Sequence, residues 1–210
     1  MWQKKEIKKM NHYTLLAELF TYPEQDNLVG TIPLVKQIVN EKYELYNDKI
    51  ARFSTFVNTH SIDEQREYYI RTFDVQALCY LDIGYILFGE DYKRGAFLVN
   101  LRNEHINAGN ECGCELADHL PNMLKLLPKI KDRAFAEELA YSIMIPALKE
   151  ILKNFKDESN VYKTTLELLL CIMESDFKNL NYKQFKVLNN DKTNFLESIN
   201  CSGCNSNKKR

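Results

Sequence analysis

One apolar stripe constrains the fold of this chain more than any other feature. Between residues 35 and 57, apolar side chains recur every three or four positions, the spacing that puts them on one face of a helix. The stripe consists of Val35, Ile38, Val39, Tyr43, Tyr46, Ile50, Phe53 and Val57. It predicts one long amphipathic helix, which is stable only when its apolar face packs against other helices.

Helix-end signals divide the rest of the chain into further helices. The signals are side chains that cap helix starts, and glycine or proline at helix ends. Starts are predicted at Ser61 (a capping box with Glu64), Asp91, Asp118 (with Pro121 in the first turn) and Asp132. Ends are predicted at Tyr22-Pro23, Gly89 and Gly109. A kink is expected at Pro146, and residues 161–173 form a last apolar helix.

The sequence predicts an all-α fold. No segment alternates apolar and polar residues with a period of two, and no Asn-Gly or Asp-Gly signal separates β-branched runs. We therefore expect a single-domain bundle of about eight helices over residues 1–188. Residues 189–210 are rich in Asn, Ser and Lys, so a mobile polar tail is expected there.

Composition narrows the functional class. The formal net charge of the 210 residues is −1, so no global basic field suggests nucleic-acid binding. The longest apolar run, residues 75–89, is interrupted by Asp82 and is too short for stable membrane insertion. The basic N terminus is not followed by a small-residue cleavage site, so a cytoplasmic protein is expected.

Charge is distributed unevenly along the chain. Residues 73–92 and residues 103–124 each contain four acidic residues and no Lys or Arg. Residues 177–210 contain seven Lys or Arg and two acids. The acidic middle predicts a surface for a basic peptide. The alternative is that these acids are scattered over several solvated helix faces.

The densest group of reactive side chains lies between residues 111 and 121. Cys112 and Cys114 stand near carboxylates and His119, so a zinc site is one interpretation, although a C-x-C pair is tight for one tetrahedral ion. Acid–base catalysis by Asp118 and His119 is another, but no nucleophile with a recognisable motif accompanies them. The plainest interpretation makes Asp118 a helix N-cap and His119 an exposed first-turn residue. A last interpretation keeps that cap and adds a binding role at the rim of a peptide groove.

A second thiol pair, Cys201 and Cys204, stands alone near the C terminus, with no partner pair at zinc-knuckle spacing. Together with Cys112 and Cys114 it offers four thiolates, so a small thiol-ligated metal-binding enzyme or sensor is the alternative function. The remaining two cysteines, at positions 79 and 171, lie in apolar runs and are expected to be small buried core residues.

Short motifs occur in a recognisable order over about residues 13–175. They are Leu16, Leu19, Phe20 and Tyr22-Pro23; Tyr69, Phe73 and Asp74; Leu78 and Leu81; Gly89, Glu90, Arg94 and Gly95; Leu98, Leu101 and Gly109; and Glu115, Leu116 and Asp118-His119-Leu120-Pro121. In this order they resemble the nitrate reductase assembly chaperones, the NarJ branch of the TorD/DmsD family of molybdoenzyme chaperones. The chain departs from that pattern at Glu90, where Asp is usual, and at Ala117, where Pro is common.

The resemblance implies an all-helical cytoplasmic chaperone that is not an enzyme and uses no cofactor. Such proteins bind the N-terminal or twin-arginine-like peptide of the molybdopterin-containing catalytic subunit of a complex iron–sulfur molybdoenzyme. They keep that subunit competent for molybdenum cofactor insertion before export or membrane docking. The implied peptide-binding residues are Tyr69, Phe73, Asp74, Arg94, Glu115, Asp118, His119, Leu120 and Pro121. A helix-in-groove mode would place apolar client residues on the aromatic and leucine side chains and basic ones near the acids.

Overall fold

The computed structural model describes residues 10–25, 27–74, 79–178 and 180–186, and these residues form an all-helical bundle. The described helices are α1 (His12–Glu18), α2 (Asn27–Lys42), α3 (Asn47–Thr59), α4 (Ile62–Phe73), α5 (Ile83–Phe88), α6 (Tyr92–Ala108), α7 (Leu120–Leu126), α8 (Arg133–Glu138), α9 (Ile145–Lys153) and α10 (Val161–Asp176). The all-α prediction is confirmed. The predicted tail, residues 189–210, lies outside the described residues.

The long apolar stripe belongs to two helices, so the prediction of a single helix is wrong. A short 3-10 turn, Glu44–Tyr46, separates α2 from α3. Just before it, Tyr43 has a non-helical backbone (φ −138°, ψ 38°). Its hydroxyl donates to Asp176 Oδ1 at 2.9 Å, so a contact with the distant α10 holds the break. The stripe still faces the core, because Val35, Val39 and Phe53 are fully buried.

The helix predicted from Asp132 through Pro146 is also divided. A π-helical turn, Leu139–Met144, follows α8, and α9 begins one residue before Pro146. Proline has no N–H to donate and its ring displaces the preceding turn, which a π turn accommodates. The expected kink therefore takes the form of a π turn ahead of the proline. The two divisions explain why the described residues contain more helices than expected.

Helix-end predictions mostly hold. In the capping box, the Ser61 N–H donates to Glu64 Oε2 at 2.7 Å and the Ser61 hydroxyl accepts from the Glu64 N–H. The Asp91 and Asp132 side chains likewise cap α6 and α8. Gly109 ends α6 in the left-handed conformation (φ 60°) that glycine adopts without strain. The cap predicted at Asp118 is wrong, because α7 begins after His119 and Asp118 faces inward.

The core gathers around α10 and α1. α10 packs against α3 and α9, and α1 packs against α7 and α2. Tyr162 on α10 and Tyr13 on α1 are among the largest fully buried side chains. Cys79 is buried, as predicted, whereas Cys171 is only partly buried. None of the helices in the described part of the chain is long and apolar enough to cross a membrane.

Candidate functional site

An open groove of about 850 Å³ lies where the ends of α1 and α4 meet the start of α7. Residues 80–82 and the loop 112–115 form two of its walls. We call it the acidic groove, defined by Glu18, Tyr22, Glu24, Tyr69, Phe73, Asp74, Tyr80, Asp82, Glu115, His119, Pro121 and Lys125. Its residues come from both acidic segments of the sequence, which the fold brings together on one surface.

Six of the nine predicted peptide-binding residues line the acidic groove, namely Tyr69, Phe73, Asp74, Glu115, His119 and Pro121. The other three, Arg94, Asp118 and Leu120, lie behind it. Leu120 and Asp118 are fully buried, and their observed contacts are with the rest of the fold. Their roles as apolar and acidic peptide contacts stay predictions.

Two aromatic side chains form the floor of the acidic groove. Tyr69 and Phe73 lie one turn apart on α4, with ring centroids 5.1 Å apart in an edge-on arrangement. Tyr22 meets the Tyr69 ring edge-on at 5.7 Å. The Tyr69 hydroxyl donates to the Phe20 carbonyl oxygen at 3.1 Å, which fixes the ring. The floor is thus rigid and apolar, and the more exposed Tyr22 and Tyr80 stand at its edges.

The rim of the acidic groove is negative. Among the described residues, five carboxylates line it, from Glu18, Glu24, Asp74, Asp82 and Glu115, together with one cation, Lys125. Lys125 is paired with Glu18 at 2.8 Å, and Arg94 is paired with Asp82 at 3.4 Å. The negative charge of the described rim therefore lies mainly on Glu24, Asp74 and Glu115.

Three acids of the rim affect the pKa of Tyr69. Burial raises the pKa of Tyr69, and the charges of Glu115, Asp74 and Asp82 raise it further. Since Asp74 and Glu115 are both exposed, a basic guest can reach them while its apolar groups contact the ring.

A short backbone bridge fixes one wall of the acidic groove. The Ile83 N–H donates to the Asp118 carbonyl oxygen, and the Leu120 N–H donates to the Leu81 carbonyl oxygen, both at 2.9 Å. Across this bridge, His119 Nδ1 lies 3.2 Å from Asp82 Oδ1. The hydrogen bond from His119 lowers the pKa of Asp82, and the nearby Arg94 charge adds to this effect. The wall is therefore held in place by both backbone and side chains.

Behind the wall, Asp118 joins three elements. Its Oδ2 accepts from the Gly84 N–H on α5 at 3.1 Å and from Arg94 Nε on α6 at 3.3 Å. Arg94 also reaches Asp82 at 3.4 Å and lies over the Tyr85 ring at 5.3 Å. Burial and the neighbouring Asp82 charge raise the pKa of Asp118. Arg94 and Asp118 therefore support this wall from behind, Arg94 through its ion pair with Asp82.

Sequence reasoning missed several residues of the acidic groove. The sequence signals mark Tyr22 as part of a helix end and of the ordered motifs but not as a binding residue, and they do not mark Tyr80, Glu24 or Lys125. Tyr22 and Glu24 lie more than 100 positions before Lys125, and the packing of α1 against α7 brings these two parts of the chain together. The signal that the sequence offers is that Tyr22 and Tyr80 each lie two residues from an acid, Glu24 and Asp82 respectively.

The cysteines of the loop 112–115 are free thiols, Cys112 half-buried and Cys114 exposed. Burial raises the pKa of Cys112. Among the described residues, no group of three His, Cys, Asp or Glu side chains is arranged to hold a metal ion. Cys201 and Cys204 lie outside the described residues, so the thiol-ligated alternative stays a prediction.

Comparison with known proteins gives one informative match. No protein-family model matches the chain. The chain is 23% identical over 167 residues to a protein of Bacillus subtilis (strain 168) named as a probable nitrate reductase molybdenum cofactor assembly chaperone, NarJ. The match covers 78% of this chain and 88% of that protein. It supports the resemblance to this chaperone family that the ordered motifs indicate.

Proposed function

We propose that this chain is a dedicated maturation chaperone for a molybdopterin oxidoreductase, such as a nitrate reductase-like enzyme. It binds the N-terminal segment of the catalytic subunit in the acidic groove and keeps the subunit competent for molybdenum cofactor insertion. The observation that carries the proposal is a groove that combines an aromatic floor with the exposed carboxylates of Glu24, Asp74 and Glu115. The similarity to the Bacillus subtilis assembly chaperone supports the general role.

The groove is suited to a basic, partly apolar peptide. Apolar client side chains would pack on the exposed ring edges of Tyr69 and Phe73 and on the more exposed rings of Tyr22 and Tyr80. Arginine or lysine side chains would lie near Asp74 and Glu115, which are both exposed and line the groove. Exposed charges of this kind contribute mainly to specificity and association rate, and the buried apolar area supplies most of the affinity.

Calorimetric titration tests the binding step. The probe is a synthetic peptide of about 30 residues from the N terminus of the molybdopterin catalytic subunit encoded nearest to this chain's gene. Binding in the micromolar range, about −8 kcal/mol, is expected for a groove of this size and charge. The double variant Asp74→Asn and Glu115→Gln should weaken binding by about three- to tenfold, because each exposed ion pair contributes about 0.2–1 kcal/mol and the variant removes two exposed charges without changing side-chain size.

A matched control separates local from general charge effects. Glu41→Gln and Glu44→Gln remove two exposed acids that lie away from the groove, and they should leave the affinity unchanged. In cells that lack the chain, the catalytic subunit should be recovered with less molybdenum per polypeptide. An unchanged molybdenum content together with no peptide binding would contradict the proposed function.

A further inference from the structure

Cys112 and Cys114 are the two thiols closest in sequence within the described part of the chain, and the proposed function gives them no role. Only Gly113 separates them, and both are free thiols, Cys112 half-buried and Cys114 exposed. They line the acidic groove next to Glu115 on its rim. The pair therefore combines chemical reactivity with a position from which a change of loop shape reaches the groove.

Two hydrogen bonds hold the loop that carries these thiols. The buried Asn122 side chain on α7 donates through Nδ2 to the Cys112 carbonyl oxygen at 3.1 Å and to the Leu116 carbonyl oxygen at 3.0 Å. One amide group thus anchors both ends of the segment 112–116, so the backbone between them turns back on itself. A new bond inside this segment can move residues 113–115 while its ends stay anchored.

The turn favours a disulfide between the two cysteines. Gly113 lies at the turn with φ 65°, in the left-handed region. Cα atoms two residues apart lie about 7 Å from each other in an extended backbone, and a turn shortens that distance. Disulfides join Cα atoms that are about 4.4–6.8 Å apart. The turned segment therefore suits a bond that an extended segment would not allow.

We propose that Cys112 and Cys114 form a reversible thiol–disulfide site whose oxidant is a low-molecular-weight disulfide. The Cys114 thiolate attacks one sulfur of that disulfide, whose S–S bond breaks and releases a thiolate. The Cys112 thiolate then attacks Sγ of Cys114, forms the new S–S bond and releases the second thiolate. The two cysteines lose two electrons, the small disulfide is reduced to two thiols, and the two cysteine protons pass through solvent to the leaving thiolates.

Exposure sets the order of these two steps. Burial raises the pKa of Cys112 despite the opposing effect of the Arg102 charge, so Cys112 reacts more slowly with a reagent in solution. Burial matters less in the second step, because the sulfur that Cys112 attacks is then only two residues away. Cys79 is a poor competitor, since it is buried and burial raises its pKa to about 12. An exposed disulfide is open to attack by small thiols, which makes the oxidation reversible.

Formation of the disulfide should change the wall of the acidic groove. It draws Cys114 towards Cys112, and Glu115 follows Cys114 directly, while Leu116 stays bound to Asn122. Glu115 is one of the exposed carboxylates that a basic guest can reach. The oxidised chain should therefore bind a basic peptide less tightly, a consequence that rests on the proposed function.

Tryptic mass mapping tests the site itself. The variant Cys201→Ser with Cys204→Ser removes the other closely spaced thiol pair, and trypsin then releases residues 103–125, which contain Cys112, Cys114 and no other cysteine. The chain is treated with glutathione disulfide, and free thiols are then blocked with iodoacetamide in denaturant. The peptide 103–125 should carry no label and should be two hydrogen atoms lighter than the dithiol. Treatment with a reducing thiol should restore the dithiol.

Cys112→Ser in the same background is the matched control. Without the second thiol, the reaction should stop with glutathione bound to Cys114. In the chain that keeps both thiols, two iodoacetamide labels on the peptide 103–125 after oxidation would overturn the inference. Glutathione that stays on Cys114 while Cys112 is free would overturn it as well.

Calorimetric titration with the catalytic-subunit peptide measures the consequence for binding. The oxidised form should bind about two- to fivefold more weakly than the reduced form, the range expected for one exposed ion pair. Cys112→Ser with Cys114→Ser should bind like the reduced form under both conditions. Equal affinities of the oxidised and reduced forms would overturn the link between the thiols and the groove. If neither form binds, the proposed function fails, and the mass of the peptide 103–125 still decides whether the disulfide site exists.

Discussion

At the residue scale, Asp118 shows how one buried carboxylate organises its surroundings. It accepts hydrogen bonds from α5 and α6 while its own backbone pairs with the residue that begins α5. Gly84 makes this possible, because a Cβ at that position would lie 2.7 Å from Asp118 Oδ2 and 3.0 Å from a Phe97 ring carbon. The close approach of backbone to carboxylate therefore requires glycine.

Replacing Gly84 by alanine should destabilise the fold by about 1–3 kcal/mol, because the added methyl group displaces a carboxylate that Arg94 holds in place. Urea unfolding measures the change. Gly95→Ala is the matched control, since nothing lies within 4 Å of its Cβ position and it is in the interior of α6. The unfolding free energy of Gly95→Ala should rise by about 0.5–1 kcal/mol, because alanine has a higher helix propensity than glycine. Equal stabilities for the two variants would contradict the packing argument.

At the element scale, helix ends that depend only on neighbouring residues are predictable from the sequence, whereas those that depend on distant contacts are not. The caps at Ser61, Asp91 and Asp132 need only neighbouring residues, and the structure contains all of them. The break after α2 depends on Tyr43 bonding to α10, more than 130 residues away, so periodicity alone does not reveal it. Aspartate is a typical N-cap residue, but the Asp118 side chain faces inward, where it accepts hydrogen bonds from α5 and α6.

The N-cap of α10 gives a prediction at this scale. The Asn160 side chain is buried and accepts from the Tyr162 and Lys163 N–H groups at 2.9 and 3.3 Å. Asn160→Ala should cost about 1–2 kcal/mol in unfolding free energy, because two backbone donors lose their acceptor. Asn160→Asp keeps the acceptor and should stay within about 0.5 kcal/mol of the native chain. A similar loss in both variants would show that side-chain packing, rather than capping, matters there.

At the scale of the whole molecule, Asp176 ties together helices that are distant in sequence. His12 Nε2 lies 2.8 Å from Asp176 Oδ2, the Tyr13 hydroxyl donates to the same oxygen, and Tyr43 donates to the other. Burial acts to raise the pKa of Asp176, but these hydrogen bonds outweigh it and hold the pKa below its ordinary value. The charged carboxylate therefore links the start of α1, the residue that follows α2 and the end of α10.

The fold should lose stability as pH falls below about 4, because the unfolded chain then binds a proton at Asp176 that the folded chain resists. The contribution is complete above the ordinary Asp pKa and is lost as pH falls through the lower folded value. Urea unfolding from about pH 6 to about pH 3 should show a shallower pH slope for Asp176→Asn than for the native chain. Glu90→Gln, at an exposed acid, should keep the native slope. Identical slopes in all three would contradict the assignment.

The charge of the acidic groove predicts salt-sensitive binding. Raising the salt concentration from about 50 mM to about 500 mM should weaken binding of a basic peptide, because exposed charges are screened beyond about 10 Å at 0.1 M and over shorter distances at higher salt. Asp74→Asn with Glu115→Gln should flatten this dependence, since two of the groove's exposed carboxylates are then absent. Fluorescence anisotropy of a labelled peptide measures it. Salt-independent binding would mean that apolar contacts alone hold the peptide.

The thiols of the loop 112–115 can report whether the acidic groove is occupied. Cys114 is exposed in the wall of the acidic groove, whereas partial burial raises the pKa of Cys112 and disfavours its reactive thiolate. A small maleimide should therefore modify Cys114 faster than Cys112, as peptide mapping by mass spectrometry would resolve. A guest lying across the loop would shield Cys114 from the reagent. The decrease in the labelling rate of Cys114 then measures the fraction of molecules that have bound a guest. No engineered probe is needed.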